Sequence, residues 1–211
     1  MKYICIKNLT KSIKGNTILD NINYKFESGN IYGIYGHNGS GKTMLFRAIS
    51  GLIRPTSGSI NISGKELHKD IDFPESIGVV IENPEFWPNY TGWQVLKMLS
   101  NIKNIINDED IEEALFRVGL DPNDKKTIKK YSLGMKQRLG IAQAIMEKAD
   151  IIILDEPTNA LDEDGIELIH KLILEEKKRG AIILIASHNK YDIDILSDIK
   201  LRMNGGKLII E

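Results

Sequence analysis

Apolar positions in this chain follow two periods, and the switch between them divides the sequence. Near the N-terminus they form short β-branched runs. Tyr3–Lys7, Ile18–Phe26 and Asn30–Tyr35 read as strands, with Glu27-Ser28-Gly29 turning between the last two. In Thr43–Ser50 the apolar residues Met44, Leu45, Ala48 and Ile49 take helical spacing, and Gly51 ends the run. Gly58–Ile62 and Ser76–Ile81 read as two further strands. From Thr91 to Lys148 the pattern is helical: Gly92–Ile102, then Asp108–Val118 with Asp108 as cap and Gly119 as stop, then a helix from near Leu133–Met135 to Met146. Strand and helix then alternate through Ile151–Leu154, Asp164–Arg179 and Ala181–Ala186, before a hairpin around Asn204-Gly205-Gly206. The order predicts one domain over residues 1–211: an α/β core of about 1–90 and 148–211, interrupted by a helical lobe of about 91–147.

Composition narrows the partners. The 211 residues are 42% hydrophobic, enough for a core, and Lys plus Arg number 28 against 29 Asp plus Glu. A net charge of −1 gives no electrostatic footprint for nucleic acid, which is excluded as an expected partner. The lysine pairs at 125–126 and 129–130 read as solvated surface, since acids such as Asp124 interleave with them. Cys5 is the single cysteine, so no intrachain disulfide forms, and its apolar surroundings predict a buried strand thiol. The N-terminus carries no secretory pattern, and the longest apolar runs fall far below the ~20 residues of a membrane span. The expectation is a soluble, cytoplasmic chain, with any membrane role depending on another subunit.

The chemistry begins at Gly36-His37-Asn38-Gly39-Ser40-Gly41-Lys42-Thr43, a P-loop pattern between an expected strand and an expected helix. Its glycines let the backbone turn N–H groups toward a phosphate, and the helix start adds positive potential. Lys42 suits the β- and γ-phosphates of a nucleotide, and the Thr43 hydroxyl suits Mg²⁺; the loop alone leaves kinases, GTPases and ATPases open. The apolar strand Ile151–Leu154 ends in Asp155 and Glu156. Asp155 is placed to hold the metal, and Glu156 to polarise or deprotonate the attacking water. A further apolar strand, expected parallel to the first, delivers Ser187-His188 to the same edge; His188 is expected to contact the γ-phosphate.

With these residues in place, the chain resembles the ATP-binding-cassette ATPases along essentially its whole length. The discriminating stretch is Tyr131-Ser132-Leu133-Gly134-Met135-Lys136-Gln137-Arg138, similar to the family signature Leu-Ser-Gly-Gly-Gln, with Ser132 and Gly134 kept and Tyr131, Leu133 and Met135 departing. The resemblance implies a P-loop cassette fold: a mixed sheet core, antiparallel N-terminal strands and an inserted helical subdomain. It implies that Ser132, Gly134 and Met135 contact ATP bound by a second nucleotide-binding subunit, a copy or a homologue. Asp162, closing Pro157-Thr158-Asn159-Ala160-Leu161-Asp162, matches the loop through which paired subunits communicate. It further implies a transmembrane permease partner, a place on the inner face of the cell membrane, and ATP hydrolysis driving transport.

Two departures stand out. Glu82 occupies the place of a usual glutamine near the metal and water, adding negative charge beside the triphosphate. Together with the Tyr-Ser-Leu-Gly-Met signature it is similar to bacterial peptide-antibiotic resistance and immunity transporters of the bacitracin type, which favours export of a peptide, lipid or drug. Ile13 stands where the family places an aromatic against the adenine. Phe86, Trp87 and Tyr90 have two readings, a contact for the membrane partner or packing between the lobes. The competing function is a soluble cassette ATPase acting on ribosomes or DNA.

Overall fold

The computed structural model describes residues 2–188 and 190–210. The strands are β1 (Tyr3–Ile13), β2 (Asn16–Glu27), β3 (Ile31–Tyr35), β4 (Ser57–Ile62), β5 (Lys65–Glu66), β6 (Ile77–Val80), β7 (Ile151–Asp155), β8 (Ile182–Ala186), β9 (Ile199–Asn204) and β10 (Lys207–Ile210). The helices are α1 (Lys42–Ile49), α2 (Gly92–Lys103), α3 (Asp108–Arg117), α4 (Leu133–Ile145), α5 (Glu163–Arg179) and α6 (Lys190–Leu196).

Two sheets result. An antiparallel one runs β2-β1-β4-β5, and a mixed one runs β10-β9-β3-β8-β7-β6. In the second, β9, β3, β8, β7 and β6 are parallel, and β10 closes the edge antiparallel to β9. The centre of this sheet is buried on both faces, which is why β7 and β8 read as unbroken apolar runs. Strand alternation shares them out. Ile151, Ile153, Ile182 and Leu184 point into a core with α1 and the antiparallel sheet. Ile152, Leu154, Ile183 and Ile185 join the core built with α4, α5 and the helical insertion.

The helices of that insertion lie between β6 and β7 in the chain. Two begin with reciprocal caps: Thr91 with Gln94 on α2, and Asn107 with Asp110 on α3. The cap of α3 is therefore Asn107 rather than Asp108, because Asn107 Oδ1 accepts the Asp110 N–H at 2.9 Å and Asp110 answers the Asn107 N–H at 3.1 Å. Cys5 is half-buried, a departure from the buried thiol its neighbours suggest. No helix among the described residues is long and apolar enough to cross a membrane.

The topology matters for chemistry. Four parallel strands, β3, β8, β7 and β6, end on the same edge, and each hands the chain to a segment bearing polar chemistry: residues 36–43, 187–188, 155–156 and 82. An open α/β sheet binds ligands at this edge.

Candidate active site

Between β3 and α1 the backbone curls through a loop that only some residues tolerate. Gly39 takes φ 78° and Gly41 φ 109°. A Cβ at Gly41 would also sit 3.0 Å from the Ile18 carbonyl oxygen, so the residue is doubly constrained. Gly41 caps α1 without any side-chain hydrogen bond, which leaves the first N–H groups of the helix directed at the loop's concave side. Lys42 Nζ donates to the Gly36 carbonyl at 2.8 Å and the His37 carbonyl at 3.4 Å. An ammonium has three protons, so one remains for a phosphate oxygen. Ser40 is 1% exposed and its hydroxyl has no hydrogen-bond partner among the described residues. An orphaned buried hydroxyl in a ring of N–H groups is the arrangement expected where an anion belongs.

The loop forms one wall of a cavity of about 500 Å³. Asn38, Gly39, Ser40, Gly41, Lys42 and Thr43 line it from that side; Glu82, Asp155 and Glu156 face them. Thr43 Oγ1 donates to Asp155 Oδ2 at 2.7 Å, joining the end of β7 to the start of α1. Burial pushes the Asp155 carboxyl above its usual range; the Thr43 hydroxyl pulls it back, Glu156 adds to the rise, Lys42 opposes it, and Glu82 adds again. The cavity thus concentrates anionic oxygens and gathers their cost on one aspartate.

Glu156 follows in a left-handed backbone conformation, φ 53°, which a non-glycine residue adopts only when held. Its N–H bonds the Ala186 carbonyl at 2.8 Å. Its carboxylate faces the end of β8, where the His188 N–H donates to Oε1 at 2.9 Å and His188 Nδ1 lies 2.6 Å from Oε2. An ionised carboxylate only accepts, so the imidazole carries its proton on Nδ1 in this contact. The two expected catalytic residues are therefore direct partners. Gly36, His37 and His188 line a second cavity behind the loop together with Arg202, and Asn38 borders both.

The remaining expected residues lie apart from the cavity. Ser132 caps α4, its hydroxyl accepting the Met135 N–H at 3.1 Å, and Gly134 follows in the first turn. Asp162 caps α5 through the Gly165 N–H at 3.1 Å and receives Arg138 Nη2 at 3.0 Å. Ile13 sits at the tip of the β1–β2 hairpin opposite Asn16, 43% exposed, and Ile18 of β2 is the aliphatic residue lining the cavity beside the loop. Phe86 packs against the core, as the packing reading expects, whereas Trp87 and Tyr90 stay exposed.

Several residues at the site were not singled out from the sequence. Asn83, Gln137 and Asn159 line the cavity, and Arg47 of α1 pairs with Glu82 at 2.7 Å. Arg47 looks like a solvated helix residue until the fold brings the loop after β6 beside it. Among the described residues no group of three or more His, Cys, Asp or Glu side chains is disposed to hold a metal ion.

Comparison with known proteins agrees with this geometry. The family model described as ABC transporter matches residues 19–159. The chain is 59% identical over 203 residues to the uncharacterized ABC transporter ATP-binding protein YybJ of Bacillus subtilis, covering 96% of this chain and 93% of that protein. It is 41% identical to the bacitracin transport ATP-binding protein BcrA of Bacillus licheniformis, covering 97% of this chain and 67% of that one. The fold superposes with a TM-score of 0.88 on the dimeric structure of MJ0796, a bacterial ABC transporter cassette, at 23% identity over 97% of this chain and 96% of the other. The P-loop, the paired acids at the end of β7 and these relatives lead to one conclusion: the chain belongs to the ABC transporter family, as an ATP-binding, ATP-hydrolysing subunit that powers transport.

Proposed function

We propose that the chain drives export of a peptide, lipid or drug as one of two nucleotide-binding subunits docked beneath a transmembrane permease, on the inner face of the cell membrane. The observation that carries the hydrolytic part is the Glu156 carboxylate held by His188 at the rim of a P-loop cavity. The export part draws on the relative named for bacitracin transport, and the pairing on the dimeric cassette of the same fold.

In this reading the N–H groups of residues 39–43, the Ser40 hydroxyl and the spare proton of Lys42 bind the phosphates of ATP, with Gly36, His37 and Asn38 shaping the loop. The site fits Mg²⁺. Its donors are hard oxygens, from Thr43 and Asp155 with Glu82 on the facing wall, and the protein alone offers no complete cage. Mg²⁺ commonly takes one or two protein oxygens and completes its shell with phosphate and water. Bound there, it neutralises phosphate charge.

Glu156 takes the proton of the attacking water, and His188 fixes the carboxylate for that task and lies within reach of the γ-phosphate. Ser132 keeps its hydroxyl proton free, because its oxygen accepts from Met135; with Gly134 and the N–H groups opening α4 it serves the ATP of the second subunit. Asp162, at the end of the loop that starts from Glu156, relays between the subunits. Trp87 and Tyr90, exposed a few residues beyond Glu82, meet the permease. Ile13 and Ile18 offer the base aliphatic surface in place of an aromatic.

The test is affinity purification of tagged Glu156→Gln from detergent-solubilised membranes of the native host with MgATP. A stoichiometric polytopic membrane protein is the expected companion. Recovery of ribosomes or nucleic-acid factors instead would favour the soluble alternative.

A further inference from the structure

Helix α4 meets the segment after β7 with a single face. Gly134, Gln137 and Arg138 stand at i, i+3 and i+4 and therefore on one side of the helix. At Gly134 the backbones approach so closely that a Cβ would lie 2.7 Å from the Ala160 carbonyl oxygen. One turn on, Gln137 is 5% exposed and directs Nε2 to the carbonyl oxygens of Glu156 at 3.2 Å and Pro157 at 3.4 Å. Its neighbour Arg138 takes the far end of the same segment, at Asp162 Oδ1. Adjacent residues of one helix thus hold both ends of residues 156–162.

The start of that segment needs such support. Glu156 is strained at φ 53°, and a strained residue persists only where its surroundings over-determine it. Its N–H is fixed by Ala186, and its carbonyl receives both the Asn159 N–H at 3.2 Å and the Gln137 amide. The amide supplies what neither a hydrocarbon nor a carboxylate could, donors for two successive carbonyls.

We propose that Gln137 is a positioning residue for hydrolysis: it ties the Glu156–Pro157 backbone, and through it the Glu156 carboxylate, to the helix whose first turn carries Ser132. The inference rests on the reading of Glu156 as the base and of residues 132–135 as the contact for the other subunit's ATP. It makes the base of one site responsive to occupancy of the other, since a shift of α4 is transmitted through one buried amide.

The test uses the purified full chain. Gln137→Met keeps the length of the side chain without the donors, and Gln137→Leu fills the space with a shorter apolar group, both without adding charge to the cavity; each is made alone and together with Glu156→Gln. Turnover, KM and metal-free ATP binding are measured, the last reporting that a variant is folded. Each Gln137 variant should lose about tenfold in kcat with KM and ATP affinity within about twofold, the pattern of a group that acts only in the reaction step. In the Glu156→Gln background the same changes should alter residual turnover by less than about twofold, because coupled residues are not additive. An equal fall in both backgrounds, unchanged kcat, or a rise confined to KM would overturn the positioning role. Normal turnover by Glu156→Gln alone is a separate outcome, and it would overturn the reading of the base together with the role assigned to Gln137.

Discussion

Replacing Glu82 by glutamine removes one negative charge from a cavity that also holds Asp155 and Glu156 against the single ammonium of Lys42. The structure sets the size of the effect. Glu82 is 62% exposed and already pairs with Arg47, itself 36% exposed, at 2.7 Å. An exposed pair of this kind contributes about 0–1 kcal/mol to folding, so thermal stability should barely move. ATP affinity should move more. A carboxylate about 8 Å from one phosphate charge costs about 0.5 kcal/mol in water, and salt cuts that to about 0.2 kcal/mol. Three or four such charges sum to about 0.7 kcal/mol, and partial neutralisation by Arg47 lowers the expectation to roughly a two- to threefold gain in affinity. Glu82→Gln should therefore bind metal-free ATP roughly two- to threefold more tightly by titration calorimetry near physiological salt, with the gain growing as salt is lowered and shrinking as salt is added. Removal of Glu82 should also ease the Asp155 carboxyl back toward its usual range, since Glu82 is one cause of its rise. Arg47→Met should act in the opposite direction, weakening ATP. Unchanged or weaker ATP binding by Glu82→Gln, or a gain indifferent to salt, would refute the electrostatic reasoning.

Three further outcomes follow from particular contacts. Ser40→Ala deletes a buried hydroxyl that has no partner among the described residues, so the melting temperature without nucleotide should hold or rise, while ATP affinity falls about tenfold; a loss of stability with affinity intact would contradict the phosphate role. In Gly78→Ala a Cβ would fall on the Ala144 carbonyl of α4, forcing β6 from the helix and costing about 1–3 kcal/mol, a drop of roughly 3–10 °C by calorimetry. The Asp198 carboxyl is pushed up by burial but held below the usual 3.8 by the Lys177 ammonium and the Ile31 N–H. With the folded value depressed, its contribution is full above about 3.8 and is lost as pH falls through the folded value, so Asp198→Asn should flatten the acid limb of stability measured by urea melts.

What the sequence made legible depended on how much of each signal was local. β7 and β8 were readable because strands buried on both faces are simply apolar, and the P-loop because its backbone demands glycine at fixed spacing. β1 runs on to Ile13, six residues past the expected end at Lys7, since its second half is polar and its register against β2 shifts three times. Such irregular pairing leaves no clean alternation to follow. β5 is two residues long, too short for any period, and α6 was not anticipated at all. It lies over β3 so closely that a Cβ at Gly33 would approach Ile193 Cγ2 at 2.7 Å, a reason for that glycine invisible along the chain. Gln137 shows the same limit at the site. Within the signature-like stretch nothing marks this glutamine as buried, and only the segment laid across α4 turns it into a buried donor.

Glu156 is central to the proposed chemistry, as the group that activates water while other residues bind the nucleotide. The direct measurement is turnover and ATP-dependent association of purified Glu156→Gln, followed by phosphate release and by light scattering with MgATP. Loss of a positioned general base predicts turnover lower by about 10²-fold or more, ATP affinity kept or raised by a few-fold as one negative charge leaves the cavity, and a stable dimer retaining uncleaved ATP. Turnover within about tenfold of the unaltered chain, or a variant that stays monomeric with ATP bound, would contradict it.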